Sequence, residues 1–446
     1  MSTTNPAAGP TAATASSPTA DLGAVRELMA RQAIDAWVVY DLRGSSQVLP
    51  RLLGGKQHLT RRVFWILHRS AREPRVLCHN IDTEAFKKLA IPFTTYAGWA
   101  DLPAALAAAL KGSPGGEPGG EAGGEAGAEL GGKPAGAHTG TKRIAMEYSP
   151  GGALPVASTV DAGTIELVRA LGLEVVSSAD IVQRWAARWS EAGLDAHRRA
   201  SAVTALIMPE AFAFIAAQVR AHGVCQERAA QAFITGRFKA EGLAWPDDPI
   251  VSVNDNSGSP HYGPDQHRSS PIRPGDWVLI DLWCRYETLD GVSLGDAAIF
   301  SDITWTGFVG ASVPSEHRRV FDAVRNARDA TLNAAKTAWA QQRPIEGWQL
   351  DDAARGVLHA AGLDAFIKHR TGHSLSPGAL VHGIGMNLDN LESHDTRTML
   401  AGTGFTIEPG AYTPGFGVRN EINIYVDPTH GPVVTSCVQD QPTLVI

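Results

Sequence analysis

The sequence predicts an α+β chain of two domains: a smaller α/β domain, then a larger one with long helices over a mostly antiparallel sheet. Three observations lead there. The chain has 446 residues, more than one ordinary hydrophobic core serves. Between about residues 21 and 185, strand-like apolar runs alternate with short helical patterns, as in α/β domains. From about Ser190 the pattern changes to long helical stretches separated by apolar strands that carry acids.

Residues 1–20 have neither a basic start nor an apolar core, so they are expected to be a disordered tail and not a secretory leader. The first domain, 21–185, opens with "DLGAVRELMARQAIDAWVVYDLRG", an amphipathic helix before the strand "AWVVY". "RRVFWILHR" and "PRVLCHNI" read as strands and "LPAALAAALKG" as a helix. Gly112 to Thr141 is a low-complexity Gly/Glu/Ala stretch that cannot bury a core, so a flexible insertion is expected there. "KRIAMEYSP" and "AGTIELVRALG" resume the strand and helix pattern. In the second domain, 190–446, "AHRRASAVTALIMPEAFAFIAAQVRAHG" and "SEHRRVFDAVRNARDATLNAAKTAWAQQ" are the long helices. The strands are "PIVSVN", "DWVLIDLWCRY", "AIFSDITWTGFVG", "GFTIEPGAY" and "VRNEINIYV".

Composition narrows the function classes. A hydrophobic content of 44% and a charged content of 19% suit a soluble globular protein. A net charge of −7 without a dense basic stripe argues against a nucleic-acid partner. No apolar run is expected to reach membrane-spanning length. Cys78, Cys225, Cys284 and Cys437 are far apart and form no CxxC, which suits a reducing compartment, so a cytoplasmic location is expected.

The strands carry unusual acids. Asp281 in "WVLIDLW", Asp302 in "IFSDITW", Glu408 in "FTIEPG" and Glu421 in "VRNEINIYV" all lie in apolar contexts, where a lone charge is costly. They become favourable if they converge on cations. Three of the fifteen histidines crowd into "HRTGHSLSPGALVHG": His369, His373 and His382. Gly, Pro and Ser make that stretch a poor helix, so a turn or strand with inward imidazoles is expected. Two Asp, two Glu and His373 form an oxygen-rich set of five, sufficient for two divalent ions sharing carboxylates. Hard oxygens with one imidazole favour Mn²⁺, with Co²⁺, Zn²⁺ and Fe²⁺ also able to bind.

The ordered set "LIDLW…SDITWTG…HRTGH…TIEPG…RNE" resembles the pita-bread metallopeptidase family, which includes methionine aminopeptidases, Xaa-Pro aminopeptidases, prolidases and the metal-free creatinase. The resemblance runs from about Asp195 to Ile446 and, more loosely, to a creatinase-like N-terminal domain. It implies a C-terminal pita-bread catalytic domain with Asp281, Asp302, His373, Glu408 and Glu421 as metal ligands. It also implies Glu408 as general base. His261 in "SPHYGP", His369 and His382 are then catalytic and substrate-binding, and Arg419 is substrate-binding as in prolyl-specific members. Histidine donors beside such a site suit oxyanion stabilisation and protonation of a leaving amine.

Some spacings depart from the family. Twenty-one residues separate Asp281 from Asp302, more than usual, which leaves Asp290 and Asp296 as competitors for Asp302. "SDIT" and the following "GFVG" favour Asp302. "HSLSPGALVHG" is longer than the usual interval between the two histidines, and "VHGIG" at His382 imitates the ligand motif itself. A histidine four residues earlier favours His373. The resemblance implies a metal-dependent exopeptidase that hydrolyses Xaa-Pro bonds through a hydroxide bridging two ions, as aminopeptidase or prolidase. Its substrate would be a proline-containing peptide and its assembly a homodimer. A creatinase-like hydrolase of a non-peptide C–N bond and a non-catalytic metal- or ligand-binding relative are the competing readings. The five retained ligand positions oppose the first, and His261, His369, His382 and Glu408 oppose the second.

Overall fold

The computed structural model describes residues 22–111 and 141–446. The expected tail 1–20 and all of the expected insertion but Thr141 lie outside them. One compact unit falls within Met1–Pro150 and Ala157–Ile181, and a second within Gly151–Val156 and Val182–Ile446.

The first unit is a six-stranded mixed sheet. Its strands are β1 (Ala36–Leu42), β2 (Arg62–His68), β3 (Arg75–His79), β4 (Phe93–Tyr96), β5 (Arg143–Met146) and β6 (Glu174–Ser177), in the order β4-β3-β2-β1-β5-β6. β1 to β3 pair antiparallel; β3–β4, β1–β5 and β5–β6 pair parallel. Central β1 is buried from Ala36 to Asp41, which is why its sequence reads as an apolar run without alternation. Helices α1 (Leu22–Arg31), α2 (Leu49–Leu52), α3 (Thr83–Lys88), α4 (Leu102–Lys111) and α5 (Ala162–Ala170) complete it. The strands and helices read from the sequence are all present. β4, β6 and α3 are too short to announce themselves by periodicity. A further helix, α6 (Ala179–Ala186), leads into the second unit.

The second unit begins with α7 (Glu191–His222), whose Ser190 hydroxyl accepts from the Gly193 N–H and whose end is closed by Gly223 at φ 74°. By length and composition this helix could cross a membrane, contrary to the expectation that no such run exists. Half of its apolar window is buried within the unit, and Ile207, Met208, Ala211, Phe212 and Ile215 belong to the same core as Val278, Ile280 and Ile303. Beyond α7, β7 (Cys225–Gln226) pairs with β9 (Pro271–Ile272) around α8 (Glu227–Ala240).

The main sheet follows the order β20-β13-β10-β8, with β8 (Ile250–Val253), β10 (Trp277–Cys284), β13 (Ser301–Phe308) and β20 (Thr443–Leu444). A small hairpin of β11 (Thr288–Leu289) and β12 (Val292–Ser293) joins β10 to β13. After α9 (Ser315–Ala340) and α10 (Gly347–Ala360), a second sheet holds β14 (Ser374–Leu375), β15 (Gly404–Ile407), β18 (Ile422–Asp427) and β19 (Gly431–Val434). A separate ribbon pairs β16 (Gly410–Thr413) with β17 (Phe416–Arg419).

Two of the expected strands are each broken in two. "GFTIEPGAY" leaves the second sheet at Glu408-Pro409 and continues in the ribbon as β16. "VRNEINIYV" leaves the ribbon at Asn420-Glu421 and enters the sheet as β18. Pro409 has no N–H to continue a ladder. Each break therefore places a glutamate where the chain crosses between sheet and ribbon.

Candidate metal centre

The register of β10 and β13 accounts for the long interval between the two strand aspartates. Asp281 stands opposite Thr304, and Trp283 opposite Asp302. Opposed residues share a face, so Asp281 and Asp302 are diagonal neighbours on one side of the sheet. The extra residues form the β11–β12 hairpin, with Asp290 at its tip, and a short 3-10 turn after it that carries Asp296; both acids are exposed, and neither lines the cavity described next. Glu408 and Glu421 arrive from the two strand breaks, and His373 from the turn before β14.

All nine side chains singled out in the sequence line one cavity of about 910 Å³: His261, Asp281, Asp302, His369, His373, His382, Glu408, Arg419 and Glu421. Ligand atoms of Asp302, His373 and Glu421 lie within 4.8 Å of one another. His373 Nε2 is 3.4 Å from Asp302 Oδ2 and 3.4 Å from Glu408 Oε1. Its Nδ1 donates to the Ser374 carbonyl at 3.2 Å. That bond turns Nε2 to the carboxylate side, where release of its proton would give the tautomer a metal-binding histidine needs.

Asp281 differs from the other acids. Its Oδ2 accepts from Arg419 Nη2, and its Oδ1 accepts from Thr304 Oγ1 at 2.9 Å. Thr304 Oγ1 also lies 2.8 Å from Glu421 Oε2 and accepts from Arg419 Nε at 3.0 Å. Arg419 Nη1 reaches the Tyr412 hydroxyl at 3.1 Å. Tyr412 in turn lies 2.6 Å from His369 Nε2, while His369 Nδ1 donates to the Arg370 carbonyl at 2.7 Å. Both nitrogens of His369 are thus engaged within the protein.

The electrostatics are those of crowded buried acids. Four carboxylates surround the guanidinium of Arg419. Burial pushes Asp281 up to about 7 against the pull of Arg419. It raises Asp302 despite the hydrogen bond from His373, and it holds Glu421 well above the usual carboxylate range. Burial opposes ionisation of Glu408 too, but the charges of His373, His369 and Arg419 outweigh it and hold that carboxyl at about 2. His373 is raised: burial works against its charge, but the bond to Asp302 and the charge of Glu408 win.

Glu421 Oε1 is buried and has no hydrogen-bond partner. A buried carboxylate oxygen in that state is costly unless something cationic meets it. With Asp302, Glu421 and His373 clustered and Glu408 beside them, the donor set fits divalent cations with a preference for oxygen ligands.

The turn around His369 and His373 requires its glycine. A Cβ on Gly372 would lie 2.1 Å from the Thr406 carbonyl oxygen. The longer interval to His382 is taken up by an excursion over 377–381 that closes on itself. Gly383 N–H donates to the Ser374 carbonyl at 2.7 Å, and Ile384 N–H to Ser376 Oγ at 3.0 Å. His382 returns with its ring 4.2 Å from that of His373. The charge on His373 and partial burial push His382 down to about 3.

Several participants escaped the sequence reading. Thr304 and Asn423 stand two residues after Asp302 and Glu421, on the same strand faces, and period-two reasoning could have found them. Tyr412 is separated from Glu408 by a strand break and gave no periodic signal. In the acidic stretch "NLDNLESHD", residues 387–395, Asp389 accepts the N–H groups of Leu391, Glu392 and Ser393. That turn delivers Glu392 to Arg370, 2.7 Å away on the cavity wall.

Residues 195–428 match the family described as metallopeptidase family M24, more than half of the chain. The chain is 32% identical over 179 residues to the Xaa-Pro dipeptidase of Lactobacillus helveticus, covering 39% of this chain and 40% of that protein. The matched stretch thus spans about two fifths of that relative's length. Among solved structures, dipeptidase PepE from Mycobacterium ulcerans is similar with a TM-score of 0.65 and 21% identity, over 96% of this chain and 98% of that one. X-prolyl aminopeptidase from Caenorhabditis elegans, described as a cytosolic enzyme with a di-nuclear active site, is similar with a TM-score of 0.60 and 16% identity. That match covers 95% of this chain and 63% of that one. The likeness of fold over nearly the whole chain bears out the fold class read from the sequence. By the match over residues 195–428, the chain belongs to metallopeptidase family M24.

Proposed function

We propose that this chain is a dinuclear metal-dependent exopeptidase that hydrolyses Xaa-Pro peptide bonds. The observation that carries the reading is the unpartnered, buried Glu421 Oε1 within a cluster of Asp302, His373 and Glu421. The name of the Lactobacillus helveticus relative, Xaa-Pro dipeptidase, supports the substrate class. Asp281, Asp302, His373, Glu408 and Glu421 would hold the ions. Four carboxylates and one imidazole favour Mn²⁺.

Divalent ions held there would supply Lewis acidity toward the scissile carbonyl oxygen and lower the pKa of water. Glu408, held ionised beside His373 and Arg419, would take the proton of the attacking water. Thr406 Oγ1, 3.0 Å from Glu408 Oε1, fixes the rotamer of that carboxylate. His382 accepts from Arg370 at Nδ1, 3.4 Å away, so its proton sits on Nε2, available to a substrate oxygen or leaving nitrogen. His261 lines the same cavity and would face the substrate. His369, with both nitrogens engaged, would act by holding Tyr412 and, through it, Arg419. Arg419 orients Asp281 through its Nη2 and favours the ionised carboxylate against the effect of burial. The cytoplasmic location is part of this reading, supported by the four free cysteines; the homodimer rests on family resemblance alone.

The experiment is hydrolysis of a panel of Xaa-Pro dipeptides and Xaa-Pro-Xaa tripeptides by protein stripped with chelator and reloaded with Mn²⁺. Metal-restored cleavage at the Xaa-Pro bond is expected, and the ratio of dipeptide to tripeptide rates separates prolidase from aminopeptidase. Folded, metal-loaded protein that cleaves none of them overturns the reading.

A further inference from the structure

Strand β13 is paired with β10 along its whole length on one edge. On its other edge β20 pairs only at Gly307 and Phe308. Asp302, Thr304 and Thr306 turn their main-chain groups toward that second edge, where unpaired groups would be costly in a buried strand. They are met by residues from outside the sheet. Asn423 Oδ1 accepts from the Asp302 N–H at 2.9 Å, and Asn423 Nδ2 donates to the Asp302 carbonyl. The Glu421 N–H donates to the Thr304 carbonyl at 3.2 Å. Gln439 Oε1 accepts from the Thr306 N–H at 3.0 Å, and its Nε2 donates to the Thr306 carbonyl at 2.7 Å. Two carboxamide side chains thus imitate a neighbouring strand, each offering one donor and one acceptor as a peptide group does.

The two clamps differ in what they hold. Gln439 grips Thr306, four residues beyond Asp302. Asn423 grips Asp302 itself and stands two residues after Glu421 on β18. Asn423 is itself fixed in the second sheet: it is fully buried, its N–H donates to Ser436 Oγ at 2.8 Å, and its carbonyl accepts from the Thr435 N–H at 2.9 Å. Asp302 lies in the main sheet and Glu421 immediately before β18 of the second sheet, and their carboxylates repel one another when no cation lies between them.

We propose that Asn423 is a positioning residue of the metal centre: its carboxamide ties the main chain of Asp302 to β18 and so fixes the distance between the Asp302 and Glu421 carboxylates before any cation arrives. This rests on the metal reading of the site given above. The clamp spares the cation the work of drawing two sheets together, which is how residues behind the ligands contribute to affinity.

Gln439 supplies an internal control, because it makes the same two bonds to β13 away from the ligands. The test compares Asn423→Leu with Gln439→Leu, measuring Mn²⁺ affinity by calorimetric titration of chelator-stripped protein and the melting midpoint of the metal-free form. Both variants should melt earlier than wild type. Only Asn423→Leu should bind Mn²⁺ more weakly, by about 10- to 100-fold. Equal losses of affinity in the two variants, or none in Asn423→Leu, overturn the proposal and leave Asn423 a purely structural residue. Asn423→Ser, which leaves room for a bridging water, replaces Asn423→Leu if the latter does not fold. Failure of both to fold overturns the positioning role in favour of a folding role. If wild type itself takes up no Mn²⁺, the metal reading fails instead, an outcome distinct from matched affinities in wild type and variant.

Discussion

The imidazoles of His373 and His382 lie 4.2 Å apart, centroid to centroid, although the chain between them is longer than the family spacing that this segment resembles. The excess is confined to an excursion sealed at its base by Gly383 N–H to Ser374 O and Ile384 N–H to Ser376 Oγ. Length added to a loop changes little in the frame when the bonds at its neck are kept. The departure from the motif therefore does not displace His382 from the cavity.

Glu408→Ala should abolish turnover. It removes a proposed ligand and the proposed base together, and a loss of at least about a hundredfold in kcat is expected. Initial rates on an Xaa-Pro dipeptide under saturating Mn²⁺ check it; a variant within a few-fold of wild type excludes the role assigned to Glu408.

Metal should stabilise the protein more as pH rises. Burial raises Asp281 from 3.8 to about 7 and also raises Asp302 and Glu421. Between about pH 4 and 7 the folded, metal-free protein then holds protons that the unfolded chain has released, so its stability falls as pH increases. Glu408 acts oppositely, but only below about pH 4.5, where its lowered pKa costs stability as acid is added. A divalent cation stabilises the ionised forms, so the Mn²⁺-induced rise in melting midpoint should be larger at pH 8 than at pH 5. Differential scanning fluorimetry with and without chelator measures this, and a shift that shrinks with pH contradicts it.

Gly372→Ala should be severe for a one-carbon change. The added methyl would stand 2.1 Å from the Thr406 carbonyl oxygen, and main chain cannot yield as a side-chain tip can. A cost of roughly 2–4 kcal/mol is expected, seen as a marked fall in melting midpoint, together with weaker Mn²⁺ binding because His373 is the next residue. Wild-type stability in this variant would show that the turn relaxes freely.

Tyr412→Phe should lower turnover while leaving the metal content intact. The lost hydroxyl joins Arg419 Nη1 to His369 Nε2 but touches no proposed ligand. Loss of one buried hydroxyl with partners left unsatisfied costs about 1–3 kcal/mol, so a drop of about tenfold in kcat/KM is expected. Metal analysis of the purified variant beside its kinetics distinguishes this from a loss of ions.

Removal of residues 112–140 should leave activity within about twofold, since closing a shorter connection changes the chain entropy only slightly. Lys142 Nζ donates to the Lys111 carbonyl at 3.2 Å, so the flanking ends lie within the reach of one lysine side chain. Kinetics of a folded deletion variant on the same dipeptide settle it.

The sequence by itself determined the class of fold, the main strands and long helices, and nine of the side chains that line the cavity. Charges inside apolar strands are expensive, and Asp281, Asp302, Glu408 and Glu421 stand out for that reason; His369, His373 and His382 stand out by their crowding in one segment, and His261 and Arg419 by the family resemblance alone. The tertiary structure alone decided how they meet. The register of β10 and β13 makes Asp281 and Asp302 diagonal neighbours across a hairpin that sequence spacing could not measure. The breaks at Pro409 and Asn420 turn two expected strands into four and bring Glu408 and Glu421 into one site. Tyr412, Thr304, Asn423 and Gln439 are ordinary polar residues in the sequence. Their roles depend on hydrogen bonds between residues up to 133 positions apart, and no local periodicity encodes such partners.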